Sequence, residues 1–196
     1  MTDERPFQIN GFCHLALVCS DMQRTVDFYS GLLGLPLVKT LELPEGGGQH
    51  FFFEVSPGSY LAFFWFPDAP DPVPGVSSAA DMPGYGEITS AVGSMNHIAF
   101  TIPEDRFEEY KARLDEAGVR TGFILNHDDS PWGVAAAMHP GVFIRSLYFL
   151  DPDGILLEFA AWTREIGPDE ARHAPMTAAD RVAPAAAPAP AVPAEA

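Results

Sequence analysis

Three side chains in this sequence are of the type and placement that hold a metal ion. Glu158 lies in "ILLEFAAW", a continuous apolar run directly after the turn "DPDG". Such a run reads as a buried strand, and an ionised carboxylate in it costs several kcal/mol unless a cation or hydrogen-bond donors answer it. His14 in "HLAL" and His97 in "HIAF" open two similar strands far apart in the chain. Two imidazoles and one carboxylate make a facial triad, which leaves coordination positions open for substrate and for oxygen or water. The plainer alternative for Glu158 is an ion pair with Arg145.

What would bring these residues together is an internal repeat. The first copy runs from the strand "GFCHLALVCS" into a helix over "SDMQRTVDFYSGLLGL", capped by Ser20 or Asp21 and ended by Gly34. Three strands follow: "LPLVKTLEL", "QHFFFEV" and "YLAFFWF". The second copy repeats the order with the strand "SMNHIAFTI", the helix "PEDRFEEYKARLDEAG", and strands "VRTGFIL", "FIRSLYFL" and "ILLEFAAW". "FEVSPGSYLAF" aligns with "FLDPDGILLEF" and Gly34 with Gly118, so the first-copy counterpart of Glu158 is Ala62. Two-fold pseudo-symmetry would set the two first strands side by side with the fourth strands flanking them, and His14, His97 and Glu158 would converge.

The expected organisation is a first module at 9–66, a Pro/Gly-rich connector at 67–93, a second module at 94–163 and a disordered Ala/Pro-rich tail at 173–196. The connector is either an arm over a cleft or a mobile linker. A second insertion, "NHDDSPWGVAAAMHPGV", separates strands of the second copy. A net charge of −16 and the absence of a basic cluster argue against nucleic acid and anionic membranes as partners. No apolar run approaches a membrane span, and Cys13 and Cys19 are too far apart on one strand to bridge, so a reducing, cytoplasmic setting is expected.

The segments "HLALVCSDMQRTVDFYSGLLGLPLV", "MNHIAFTI" and "LYFLDPDGILLEF" resemble the vicinal oxygen chelate superfamily over roughly residues 9 to 163. That superfamily includes glyoxalase I, extradiol ring-cleaving dioxygenases, epimerases and fosfomycin- and bleomycin-resistance proteins. The resemblance implies an α+β fold of two paired βαβββ modules forming an open barrel-like sheet around a metal site, and a homodimer. Glyoxalase I uses a fourth ligand where this chain has Ala62, so the three-ligand set resembles extradiol dioxygenases more closely. Fe(II) is then the expected metal, with Mn, Zn and Ni also compatible with the set.

Type I extradiol enzymes carry a Tyr ten residues before the glutamate ligand and a His nine before that Tyr, which match Tyr148 and His139. Their acid–base histidine has no match, since Ser59 or Tyr60 stands there, and His50 is the substitute base. If strand alternation holds, His50, Phe52 and Glu54 face inward. Phe52, Tyr60, Phe64 and Tyr148 would wall the cavity together with Trp132 from the insertion, which suits an aromatic small-molecule substrate. No Lys or Arg is expected at an inward position. The reading is a catechol- or hydroquinone-cleaving dioxygenase. The alternatives are a metal-dependent isomerase, lyase or epimerase acting through an enediolate, and a non-catalytic module that sequesters a ligand.

Overall fold

The computed structural model describes residues 6–182. The first module contains β1 (His14–Val18), α1 (Met22–Val26), β2 (Leu37–Glu42), β3 (Gln49–Ser56) and β4 (Ser59–Trp65). The second contains β5 (Ile98–Thr101), α2 (Phe107–Glu116), β6 (Thr121–His127), β7 (Ile144–Leu150) and β8 (Leu156–Trp162). This is the α+β arrangement of two βαβββ modules that the repeat implied. Each module makes one four-stranded mixed sheet, ordered β1-β4-β3-β2 and β5-β8-β7-β6, and the first strand of each runs parallel to the fourth.

Local chemistry explains the repeat. Gly58 and Gly154 turn the β3–β4 and β7–β8 hairpins at φ +79° and +80°, a region that favours glycine. Asp21 caps α1 by accepting from the Arg24 amide. The single helix expected after it changes character midway: Asp27–Leu32 is π-helical, with the Leu33 amide donating to the Phe28 carbonyl.

Each sheet has a helix-side face and an inner face. On the helix side, Tyr29, Phe53 and Phe63 of the first module join Phe107, Leu147, Phe149 and Leu157 of the second in one buried cluster. Burying each such side chain contributes about 1.5–3 kcal/mol, so the modules are held together through this face. Polar contacts reinforce the joint: the Tyr29 hydroxyl donates to Asp151 at 3.0 Å, and Arg24 pairs with Asp153 at 2.6 Å.

That joint corrects one expectation. β1 and β5 do not pair with each other; β1 pairs with β4 and β5 with β8, each at the outer edge of its own sheet. An open groove of about 900 Å³ runs between the modules, and Leu15, Tyr60, His97 and Phe100 are among its lining residues. The barrel-like enclosure is therefore not closed within one chain.

The connector is an arm, not a free linker. Ala79 and Met82 are buried against Tyr148 and Leu156 on the inner face of the second sheet. Asp81 pairs with Arg120 at 2.9 Å, and the Tyr85 ring stacks on Phe123. Both modules and the arm belong to a compact unit ending at Glu165. The unit from Ile166 onward holds, within its described residues, two short 3-10 turns at Pro168–Glu170 and Ala178–Asp180. Most of the tail expected to be disordered (183–196) lies outside the described residues. Cys13 and Cys19 are both free thiols, and among the described residues no helix is long and apolar enough to cross a membrane.

Candidate metal centre

Glu158 stands on β8, buried to 4% exposure, with Tyr148 of β7 as its cross-strand partner. Arg145 does not answer it. Arg145 lies on the helix-side face, over the Phe107 ring and bonded to the Glu104 carbonyl and Asn126. The group that answers Glu158 is His97, whose Nε2 is 3.1 Å from Glu158 Oε2.

Asn96 determines which way this imidazole works. Its side-chain NH2 donates to the Ile88 carbonyl at 2.6 Å, and a carbonyl can only accept. That fixes the amide with Oδ1 toward His97 Nδ1 at 2.8 Å, so Nδ1 carries a proton. Nε2 is the ring nitrogen turned to the Glu158 carboxylate, and it can meet that oxygen either as an N–H donor or, through its lone pair, across a bound cation. One nitrogen and one oxygen, with the ring oriented by an outer amide, suit a divalent ion. Their separation also matches adjacent corners of a coordination sphere with bonds of about 2.1 Å.

Around this pair, the Tyr148 ring meets His97 edge to face at 5.6 Å between centroids. Burial first, and then the Glu158 charge, push the Tyr148 phenol up to about 12, so it remains a proton donor at neutral pH. Ser146, fully buried, shares the face.

His14 stands elsewhere. It is exposed at the start of β1, beside Tyr60 in register, with its ring 5.8 Å from that of Phe52. Among the described residues of one chain, no group of three His, Cys, Asp or Glu side chains could hold a metal. The modules meet through their helix-side faces, which leaves the inner face of the first sheet, His14 included, uncovered. Of the three expected ligands, one chain brings together two.

That inner face carries the other expected residues. The β3–β4 register sets His50 opposite Phe64, Phe52 opposite Ala62 and Glu54 opposite Tyr60, so His50, Phe52, Tyr60 and Phe64 share a face with His14 as expected. The His50 ring stacks on Phe64 at 3.6 Å, its Nε2 is buried without a partner, and burial followed by the nearby His14 holds its pKa below the usual value. Val18 and Leu41 on this face are 48% and 39% exposed.

Three details differ from expectation. Lys39 is opposite Phe52 and thus on the inner face, because an irregularity between Leu37 and Lys39 shifts the alternation of β2 by one residue. Trp132 is 88% exposed at the turn of the insertion and walls no cavity in the single chain. His139 is engaged within its own loop: Nε2 meets Asp128 at 3.1 Å and Nδ1 accepts from the Gly141 amide. Asn96, which orients His97, was not among the expected residues, and its signal in the sequence is its place beside His97 in "MNHIAF".

Two similar four-stranded mixed sheets, each with its first strand parallel to its fourth, define a class of paired-module α+β proteins. The model of the glyoxalase/bleomycin resistance protein/dioxygenase superfamily matches residues 11–159, and the chain belongs to that superfamily. It is 31% identical over 145 residues to the glutathione transferase FosA of Serratia marcescens, covering 74% of this chain and 76% of that one. It is 28% identical over 113 residues to a putative ring-cleaving dioxygenase, MhqE, of Bacillus subtilis. That match covers 56% of this chain but spans only 32% of the relative's length. The crystal structure of a glyoxalase family protein from Enterococcus faecalis superposes with a TM-score of 0.53 at 26% identity, covering 77% of this chain and 97% of that one.

Proposed function

We propose that this chain is a divalent-metal enzyme whose centre is completed between two copies, with His97 and Glu158 from one chain and His14 from the other. The observation that carries the reading is the buried Glu158 carboxylate 3.1 Å from His97 Nε2, with the imidazole held in that direction by Asn96. A second copy supplies what one chain lacks: a third ligand from a solvent-facing edge strand, and cover for the apolar inner face around Val18, Leu41, Phe52 and Phe64. A divalent ion bound there supplies Lewis-acid polarisation of substrate oxygens and, as Fe(II), the redox capacity for dioxygen chemistry.

The reaction best supported is ring cleavage of a catechol- or hydroquinone-like substrate. His14, His50, Phe52, Tyr60 and Phe64 make a largely aromatic wall, suited to a flat aromatic ligand. Tyr148, kept protonated, donates a hydrogen bond to a substrate oxygen. His50, kept neutral by burial, takes the proton of a substrate hydroxyl through its unpartnered Nε2. His139 has both ring nitrogens engaged, by Asp128 and the Gly141 amide, so a role as donor to substrate requires it to leave Asp128.

A second reading is a metal-dependent thiol transferase, favoured by Lys39 on the inner face as an anchor for an anionic substrate. The relative named as a glutathione transferase also matches over three quarters of both chains. Oxygen uptake and thiol consumption separate the two. Protein reconstituted anaerobically with Fe(II) is mixed with a panel of catechols and hydroquinones, and Mn(II)-loaded protein with glutathione and small electrophiles. Oxygen uptake with ring-opened product supports the first reading. Thiol loss without oxygen uptake replaces it with the second, and neither activity across both panels removes both.

A further inference from the structure

Asn96 touches two things at once. Its Oδ1 holds His97 Nδ1 at 2.8 Å, while its NH2 donates to the Ile88 carbonyl at 2.6 Å and to Ser90 Oγ at 3.3 Å. Ile88 and Ser90 belong to the arm between the modules. Further up the arm, Met82 is wholly buried against Tyr148 and Leu156. The arm is stitched to itself between these anchors, with the Ala80 amide donating to the Thr89 carbonyl at 3.0 Å and the Asp81 amide to the Glu87 carbonyl at 2.8 Å. One face of the arm therefore rests beside Tyr148, and its far end is tied through one amide to His97.

We propose that Asn96 is a positioning residue that couples the seating of the 79–90 arm to ion binding at His97 and Glu158. With the arm seated, both halves of the amide are engaged, and the imidazole is held with Nε2 toward Glu158. With the arm lifted, Asn96 loses Ile88 and Ser90, its side chain is free to rotate, and the ring loses the contact that orients it. Linkage makes the effect reciprocal: an ion that favours the oriented ring also favours the seated arm. The inference rests on the metal reading of this site.

The test combines Mn(II) titration with amide hydrogen exchange of Ala80 and Asp81, whose amides report whether the arm is closed. Wild-type protein is expected to bind Mn(II), and exchange at both amides is expected to slow when it does. Asn96→Ala should weaken Mn(II) binding about 10- to 100-fold, the usual effect of losing an outer-shell partner, and abolish the Mn(II) dependence of exchange. Asn96→Asp separates the two halves of the side chain. It keeps an acceptor for His97 Nδ1 but cannot donate to Ile88, so Mn(II) binding should weaken by less than in Asn96→Ala while the arm exchanges faster with or without Mn(II). Met82→Ala provides a variant with Asn96 intact; loosening the arm at its other anchor should speed exchange and weaken Mn(II) binding together.

Asn96→Ala binding Mn(II) as tightly as wild type would overturn the coupling, as would wild-type exchange indifferent to bound Mn(II). Faster arm exchange in Met82→Ala with unchanged Mn(II) affinity would do the same. Wild-type protein that binds no divalent ion, whether Mn(II), Fe(II) or Zn(II), would instead remove the metal reading on which the coupling depends.

Discussion

Replacing Asp151 by Asn should make this protein more stable at neutral pH, although it removes a hydrogen-bonded carboxylate. Asp151 sits in the β7–β8 turn at 7% exposure. Its Oδ1 accepts the amides of Asp153 and Ile155 at 2.9 and 2.8 Å, and its Oδ2 accepts the Tyr29 hydroxyl across the module joint at 3.0 Å. Burial dominates, and those hydrogen bonds only partly offset it, so the carboxyl is raised from 3.8 to about 6. A folded-state value above the unfolded one gives stability that is fully present below the unfolded pKa and is lost as pH rises through about 6. A shift of about two units corresponds to about 3 kcal/mol, of which about 2 kcal/mol is lost between about pH 4.5 and 7.5.

Asn keeps the oxygen that the two turn amides need and carries no charge to desolvate. Its NH2 forces the Tyr29 hydroxyl to reorient, at a cost of about 1 kcal/mol. Asp151→Asn is therefore expected to match wild type within about 1 kcal/mol near pH 4.5 and to exceed it by about 2 kcal/mol near pH 7.5. Urea unfolding of both proteins at several pH values measures this directly. A variant less stable than wild type at pH 7.5, or a difference between the two proteins that does not change with pH, would show that Asp151 is not raised by burial.

Tyr148→Phe removes a donor while leaving the ring against His97, so kcat should fall about 10²-fold with metal content unchanged, checked by turnover and elemental analysis. A loss of metal in that variant would instead make Tyr148 part of the ion's own support. Gly48 has φ +128°, and a Cβ there would stand 2.0 Å from the Trp65 carbonyl oxygen. Gly48→Ala should cost at least about 2 kcal/mol by denaturant unfolding and disturb His50 two residues on. Gly31, with nothing within 4 Å of an added Cβ, should accept Ala at no cost.

Much of the architecture was legible because repeats leave local marks. Gly34 and Gly118 both adopt positive φ, at +76° and +74°, after their helices, and the hairpin glycines Gly58 and Gly154 agree to within a degree. Those marks were enough to align Ala62 with Glu158 and to place β1 to β8 in order. The π-helical half of the first helix gave no such mark, since Phe28, Tyr29 and Leu32 suit either winding. Lys39 was misplaced because one irregularity in β2 reverses the face of everything beyond it, and alternation cannot reveal where the ladder slips. The arm's course depends on Met82 finding Tyr148 and Asn96 finding Ile88, contacts between side chains with no periodic pattern. Hydrophobic patterning likewise marked both faces of each sheet as apolar without saying which one the other module would cover. That choice, made through Tyr29, Phe63, Phe107 and Phe149, is why His14 stands apart from its expected partners.

A centre shared between copies can be rebuilt from two damaged chains. His14→Ala and Glu158→Gln each remove one proposed ligand, and each protein alone should bind no Fe(II) or Mn(II) tightly. If the centre forms between copies, unfolding and refolding the two together produces mixed dimers in which one site has lost both ligands and the other has lost none. Random pairing then restores about one quarter of the wild-type metal content, with activity returning in proportion. Recovery at that level is what a centre shared between copies predicts. No recovery from a mixture shown to contain mixed dimers would contradict it.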